Sequence, residues 1–265
     1  MKKNILGAVV SIGIGGVPAL AADLPGRTYA PAAPFVAPVY SWTGFYIGGN
    51  IGYGSQRSSF SDPGLSNPPL SGPSGGETAT SVVGGGQIGY NLQTGAWVFG
   101  AQGTFDGTGI SGSHVNPLSQ PPLGVGGDIL GTKTAWFATQ TARFGYTVTP
   151  QALLYVKGGA AEARFNYTDI DSIVSAGSPY SGTGSSTRFG WTVGAGLEYA
   201  PTSNWSVFAE YNYSDFRTAQ TLFTYTAPNP ANATPYVYKE TNRLQTVLVG
   251  VNYRFGFGSP VVARY

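Results

Sequence analysis

Leu244-Gln-Thr-Val-Leu-Val-Gly-Val-Asn-Tyr-Arg-Phe255 is the stretch whose reading decides the fold. Every second residue from Val247 is apolar or aromatic: Val247, Val249, Val251, Tyr253 and Phe255. The interleaved set is Thr246, Leu248, Gly250, Asn252 and Arg254, with Leu248 the one misfit. Period-two alternation of this kind describes a β-strand with one apolar and one mostly polar face. The apolar face ends in two aromatics, as a lipid-facing strand does at the membrane–water interface.

Working outward, the same pattern recurs. It predicts strands over residues 44–53, 82–92, 96–105, 134–148, 152–165, 188–199, 204–216 and 244–255. In 134–148, Trp136, Ala138, Ala142, Phe144 and Tyr146 share one face with a single polar intruder, Gln140, while Arg143 lies on the other. In 188–199, Trp191 joins Phe189, Val193, Leu197 and Tyr199 against Glu198. In 204–216, Trp205, Val207, Ala209, Tyr211 and Tyr213 oppose Glu210. The parity of 152–165 stays open: if Lys157 points inward, then Leu154, Val156 and Ala160 point out.

Connection lengths set the architecture. Short turns at 93–95, 149–151 and 201–203 alternate with Ser-, Gly- and Pro-rich connections of roughly 20 to 25 residues, the long-and-short rhythm of an outer-membrane barrel. The expected fold is therefore all-β, an eight-stranded antiparallel up-and-down transmembrane β-barrel. A soluble barrel would place its bulky apolar rows inside. Here Arg143, Glu198 and Glu210 lie opposite rows of Trp, Phe, Tyr and Val, on a face shared with glycines. Inside so narrow a barrel Arg143, Lys157, Glu198 and Glu210 are expected to pair and fill the lumen. Trp136, Trp191, Trp205, Tyr211 and Tyr213 are expected at the lipid interfaces.

Composition agrees. Charged residues make up 10% of the 265, against about 25% in soluble proteins. Lys2 and Lys3, the apolar run from Ile5 to Val17 and Ala19-Leu20-Ala21 read as a signal peptide over residues 1–21. Removing it brings the 14 basic residues level with the 12 acidic ones, so the precursor's +2 charge argues nothing for nucleic acid. Residues 22–43, with Pro25, Pro31, Pro34 and Pro38, form a periplasmic linker; 44–255 are the barrel and 256–265 a C-terminal tail. Both mature termini are then periplasmic. With no cysteine there is neither a disulfide framework nor a lipid-attachment thiol.

Several motifs weigh little. Gly84-Gly-Gly-Gln-Ile-Gly89 matches a dinucleotide fingerprint but precedes a strand, not a helix. His114 beside Ser113 would need a carboxylate and an oxyanion site to hydrolyse anything. Asp169 and Asp171 are too few oxygens for calcium. No enzyme, cofactor or metal site is expected.

Ala22-Asp-Leu-Pro25, Trp42-Thr-Gly-Phe-Tyr-Ile-Gly-Gly-Asn50, Arg143-Phe-Gly-Tyr146, Tyr155-Val-Lys-Gly-Gly159 and Val249-Gly-Val-Asn-Tyr-Arg-Phe255 together resemble the small outer-membrane immunogenic, porin-family β-barrels of α-proteobacteria, relatives of the OmpA/OmpX-type transmembrane domain. Gly250-x-x-Tyr253-x-Phe255 resembles the C-terminal signal read by the barrel assembly machinery, although here residues 256–265 follow it. The resemblance implies a surface antigen of the Gram-negative outer membrane with a structural role in the cell envelope. Its surroundings would be outer-membrane lipid and lipopolysaccharide, with its loops facing any extracellular ligand. The alternative is a narrow porin-like channel for small solutes.

Overall fold

Alternation does not stop where the apolar rows stop. Past Tyr53 the outward residues become Ser55, Arg57 and Ser59, while the inward ones, Gln56, Ser58 and Phe60, are buried. The backbone stays extended through this change of character. In the computed structural model, which describes residues 40–63, 71–117, 120, 127–171, 181–226 and 236–255, the strands are β1 Gly44–Pro63, β2 Ser71–Thr94, β3 Trp97–Thr108, β4 Ser111–Val115, β5 Asp128–Thr149, β6 Ala152–Asp171, β7 Ser181–Tyr199, β8 Trp205–Thr226 and β9 Tyr236–Arg254. The expected signal peptide and tail, and the linker up to residue 39, lie outside the described residues.

All pairings are antiparallel, in the order β3-β2-β1-β9-β8-β7-β6-β5-β4, and β3 also pairs with β5. That last pairing closes a ring of eight staves. One stave is in two pieces: β3 lies along Trp136–Tyr146 of β5, and β4 continues it along Ile129–Lys133. At the break Ile110 turns fully inward. Its N–H bonds Thr108 Oγ1 at 2.9 Å, and its carbonyl accepts from Thr134 N at 3.0 Å. The sequence reading placed β4 in a loop, because a five-residue Ser-Gly-Ser-His-Val segment carries no apolar row.

The other long connections shrink in the same way. Lipid needs strands of about 9–11 residues, yet β1, β2 and β5 run to 20, 24 and 22. The extensions stand beyond the apolar belt, in contact with water, so their outward rows are polar and look loop-like in sequence. A ladder needs only paired backbone groups, and these continue: Ser55 to Ser59 pair with Thr80 to Gly76.

The inside has three layers. At the short-turn end Trp42, Val98, Leu153, Tyr155 and Ala200 form an apolar base. Above it lies a buried polar layer that includes Gln87, Gln102, Arg143, Lys157, Glu198, Glu210 and Asn252. At the long-connection end an apolar core returns, built from Phe60, Val83, Ile110, Leu130, Phe137, Phe165, Tyr167, Phe216 and Phe223, with Leu244 and Leu248 beneath. Leu248, the misfit in the strand pattern, faces inward as a floor of that core.

The outside inverts this order. Level with the polar layer, Ile51, Tyr53, Ile88, Phe105, Phe189 and Val247 are exposed, Phe189 by 70%. An apolar belt over a charged interior is stable only against an apolar solvent, where closed strands leave no backbone group unpaired. Gln140 is exposed within this belt, opposite Gly103 on β3.

Candidate functional site: the charged interior and the rims

In register, Arg143 on β5 faces Lys157 on β6 directly. Like charges so placed repel. Two carboxylates on the next strands round the ring, β7 and β8, each two strands from its partner, resolve the conflict. Arg143 Nη2 lies 2.7 Å from Glu198 Oε2, and Lys157 Nζ lies 2.6 Å from Glu210 Oε1, with all four side chains at most 4% exposed. Burial makes these pairs geometry-critical, since each charge has left water.

Further donors saturate the carboxylates. Glu198 Oε1 accepts from Ser206 Oγ at 2.5 Å and Asn252 Nδ2 at 2.9 Å. Glu210 accepts from Tyr155 Oη at 2.9 Å and Asn212 Nδ2 at 2.8 Å. A chain of amides runs on around the wall: Gln102 Nε2 donates to Gln87 Oε1 at 2.7 Å, and Gln87 Nε2 donates to Asn252 Oδ1 at 2.6 Å. Arg143 also stacks on Tyr155, 3.7 Å from the ring centroid, and donates to Tyr46 Oη at 3.2 Å.

Small residues make room for these rings. Tyr46 lies opposite Gly89, Tyr155 opposite Gly196 and Phe208 opposite Gly250, each aromatic folded over the glycine of its partner strand. Of the dinucleotide-like glycines, Gly85 and Gly89 thus face inward on a strand whose Gly84, Gly86 and Ile88 face out. Gly250 faces inward under Phe208. Tyr253 and Phe255 sit on the opposite face, their rings 5.2 Å apart, and Tyr253 meets Trp205 at 5.0 Å.

The interfacial aromatics fall on two levels. Trp205 stands at the short-turn end, level with Tyr253. Trp136, Trp191, Tyr211 and Tyr213 mark the far edge of the belt. Trp136 stacks on Phe105 at 5.5 Å, Trp191 meets Tyr213 at 5.5 Å, and Tyr211 Oη donates to Gln245 Oε1 at 2.9 Å.

Two further polar features escaped the sequence reading. Arg188 on β7 reaches Glu240 on β9 at 2.8 Å, and Thr221 Oγ1 bonds the same carboxylate oxygen at 2.9 Å. Glu240 has the parity of Asn242, Leu244 and Thr246, so carrying the last strand's alternation backwards would have found it. At the opposite end Trp42 is fully buried, and its Nε1 donates to the Pro150 carbonyl at 3.1 Å. Arg254 caps it, its guanidinium 4.9 Å from the Trp42 ring and 4.5 Å from that of Tyr40, with a hydrogen bond to the Ser41 carbonyl. Tyr40, Ser41 and Trp42 lie in what reads as linker, where no periodicity marks them.

Ser113 and His114 point to opposite faces of β4. Adjacent strand residues do so by geometry, and this removes the serine–histidine pairing a hydrolase would need. His114 instead contacts the Ser74 carbonyl through Nε2 at 2.8 Å, and its Nδ1 is 3.8 Å from Glu77 Oε2. Asp169 is buried in the interior; the side chain of Asp171 lies outside the described residues.

Known proteins match this sequence over most of its length. The family described as "Outer membrane protein beta-barrel domain" matches residues 8–255. The 31 kDa outer-membrane immunogenic protein of Brucella melitensis is 36% identical over 267 residues, covering 96% of this chain and 100% of that protein. The 22 kDa outer membrane protein of Rhizobium leguminosarum bv. viciae is 32% identical over 193 residues, covering 71% of this chain and 70% of its own length. The apolar belt, the charged lumen and these matches agree: the chain belongs to the outer membrane protein beta-barrel family.

Proposed function

We propose that this outer-membrane barrel is a non-catalytic structural and surface-antigen protein of the cell envelope, with its lumen closed to solutes. The observation that carries the reading is the stack of three interior layers. Trp42 under Arg254 occupies the short-turn end. The Arg143–Glu198 and Lys157–Glu210 pairs fill the belt level. An aromatic core closes the far end. Eight strands leave space for side chains, not for a water column.

The short turns and both mature chain termini face the periplasm in this reading, and the strand extensions rise into the medium. Outside, the extensions and the connections above them supply the antigenic surface and any contact with an extracellular ligand. Gly250, Tyr253 and Phe255 serve as the recognition signal for the barrel assembly machinery. The immunogenic label of the Brucella relative supports surface exposure. Lipid and lipopolysaccharide surround the belt.

Two measurements test this. Single-channel recording of refolded, heat-modifiable protein in planar bilayers should show no unitary conductance; discrete steps would establish the channel alternative. Proteinase added to whole cells should cleave within residues 55–80 and spare the turn at 149–151. Cleavage only after outer-membrane disruption would reverse the orientation.

A further inference from the structure

We infer that the outer face of β1, β8 and β9 carries a binding site for the phosphate groups of an outer-leaflet glycolipid, with Arg57 and Arg243 as its arms. Three successive rungs on that face build the case. The first is Tyr53–Val247–Tyr211, the last bulky apolar row of the belt. The second is Ser55–Gln245–Tyr213. The third is Arg57–Arg243–Asp215. The arginines therefore stand about 13 Å along the strands from the edge of the apolar belt, at the height where lipid headgroups replace acyl chains.

Arg57 and Arg243 are directly opposed in register. Like charges in that position destabilise a ladder unless something negative lies between them. Among the described residues, one carboxylate serves the pair. Asp215 takes Arg243 through Nε at 3.1 Å, which leaves the Nη amines outside that contact. Among the described residues Arg57 has no ion-pair partner, and Thr78 is its neighbour on β2. Beside them the chain makes an unusual turn. Arg217 has a left-handed backbone, φ 60°, in a bulge held by its N–H bonding Asp215 Oδ1 at 2.7 Å. A non-glycine residue held there signals a local conformation maintained against strain, and it fixes the backbone beside the same aspartate.

Exposed cations are unevenly distributed over the barrel. Six described cations are exposed: Arg57, Lys133, Arg164, Arg217, Lys239 and Arg243. All lie at or beyond the rim marked by Trp136, Trp191 and Tyr211. The opposite rim, around Trp97, Tyr146 and Trp205, has none among the described residues. The partly exposed carboxylates Asp62, Asp128, Glu162 and Asp215 share that rim, so it is the opposed arginine pair, not the sorting, that calls for an anion. The planar arginine fork suits the phosphate oxygens of an outer-leaflet glycolipid.

The site rests on the outward orientation proposed above, but the test does not. Refolded full-length protein in zwitterionic-detergent micelles, which have no leaflets, is titrated with fluorescent lipid A bearing two phosphomonoesters. The same lipid stripped of phosphate, inorganic phosphate and a sulfated polysaccharide serve as the other arms. R57A/R243A is expected to bind phosphorylated lipid A about tenfold more weakly. K133A/R164A, on the far side of the barrel, should bind unchanged, with both variants shown folded by heat-modifiable migration. The stripped lipid should bind no better than the double variant binds the intact one. Equal affinity of R57A/R243A, or of the stripped lipid, overturns the site. Preference for the sulfated polysaccharide or free phosphate over lipid A overturns the assignment to lipid. Failure of the orientation would appear only in the whole-cell proteinase experiment.

Discussion

Arg143 on β5 pairs with Glu198 on β7, 2.7 Å away over the inner face of β6, and not with a residue of the strand between them. The link skips β6 and so ties second-neighbour staves together along the inner wall. Removing the acid strands a buried guanidinium. Glu198→Ala should therefore cost about 3–5 kcal/mol, read from urea unfolding of the refolded barrel by tryptophan fluorescence. Glu198→Gln should cost less, because Ser206 and Asn252 keep partners. The double change R143M/E198L should come within about 1 kcal/mol of the parent, because an apolar pair of similar volume replaces the buried charges. A double variant as damaged as the single one would mean the pair contributes more than it costs to bury.

Trp42 makes the second prediction. It is fully enclosed, and its indole N–H has the Pro150 carbonyl as partner. Trp42→Ala removes the floor of the lumen and should cost about 3–5 kcal/mol. Trp42→Phe should recover most of the packing while losing the hydrogen bond. If both variants melt with the parent, Trp42 is a passenger of the chain leading into β1 and not a closure.

The belt was legible in the sequence because lipid imposes a rule that residues must obey: Val247, Val249 and Val251 can face it and Asn252 cannot. That rule lapses at the rim. Ser55 to Ser59 keep their ladder with β2, but water accepts Ser, Arg or Phe on the outward face, so nothing in the pattern announces a strand. Arg143 and Glu198 were readable as inward-facing from parity. Their pairing was not, since it depends on the stagger of the closed ring. Trp42 and Arg254 left no trace of their contact, because a single residue has no period.

Gly250 gives the third prediction, distinct from any role in recognition by the assembly machinery. A Cβ there would collide with the Gly49 carbonyl and the Phe208 ring. Gly250→Ala should cost about 1–3 kcal/mol through overpacking, seen as a lower midpoint in unfolding of protein refolded without any assembly factor. Adding Phe208→Leu should recover only part, since the Gly49 backbone remains in the way. A normal midpoint in vitro with poor insertion in cells would instead isolate a recognition defect.

His114 supplies a pH dependence at the far end of the barrel, in β4 beyond the belt. Burial beside the Phe60 ring disfavours its charged form. The Glu77 carboxylate, 3.8 Å away, and the Ser74 carbonyl outweigh that, and the imidazole titrates above its ordinary value of 6.5. A raised folded value means that protonated His114 stabilises the contact between β2 and β4. That contribution is fully present below about pH 6.5, the unfolded value, and fades as pH rises through the folded one. Gly75, at φ 93°, has no room for a side chain against the imidazole, so the two strands meet closely here. Hydrogen exchange at residues 74–77 and 111–115, corrected for intrinsic rate, should therefore quicken between pH 6 and pH 8. His114→Gln should show the faster exchange at both pH values, and Glu77→Gln should remove most of the difference. Exchange that slows with pH, or a pH response that survives in His114→Gln, would assign the titration to another group.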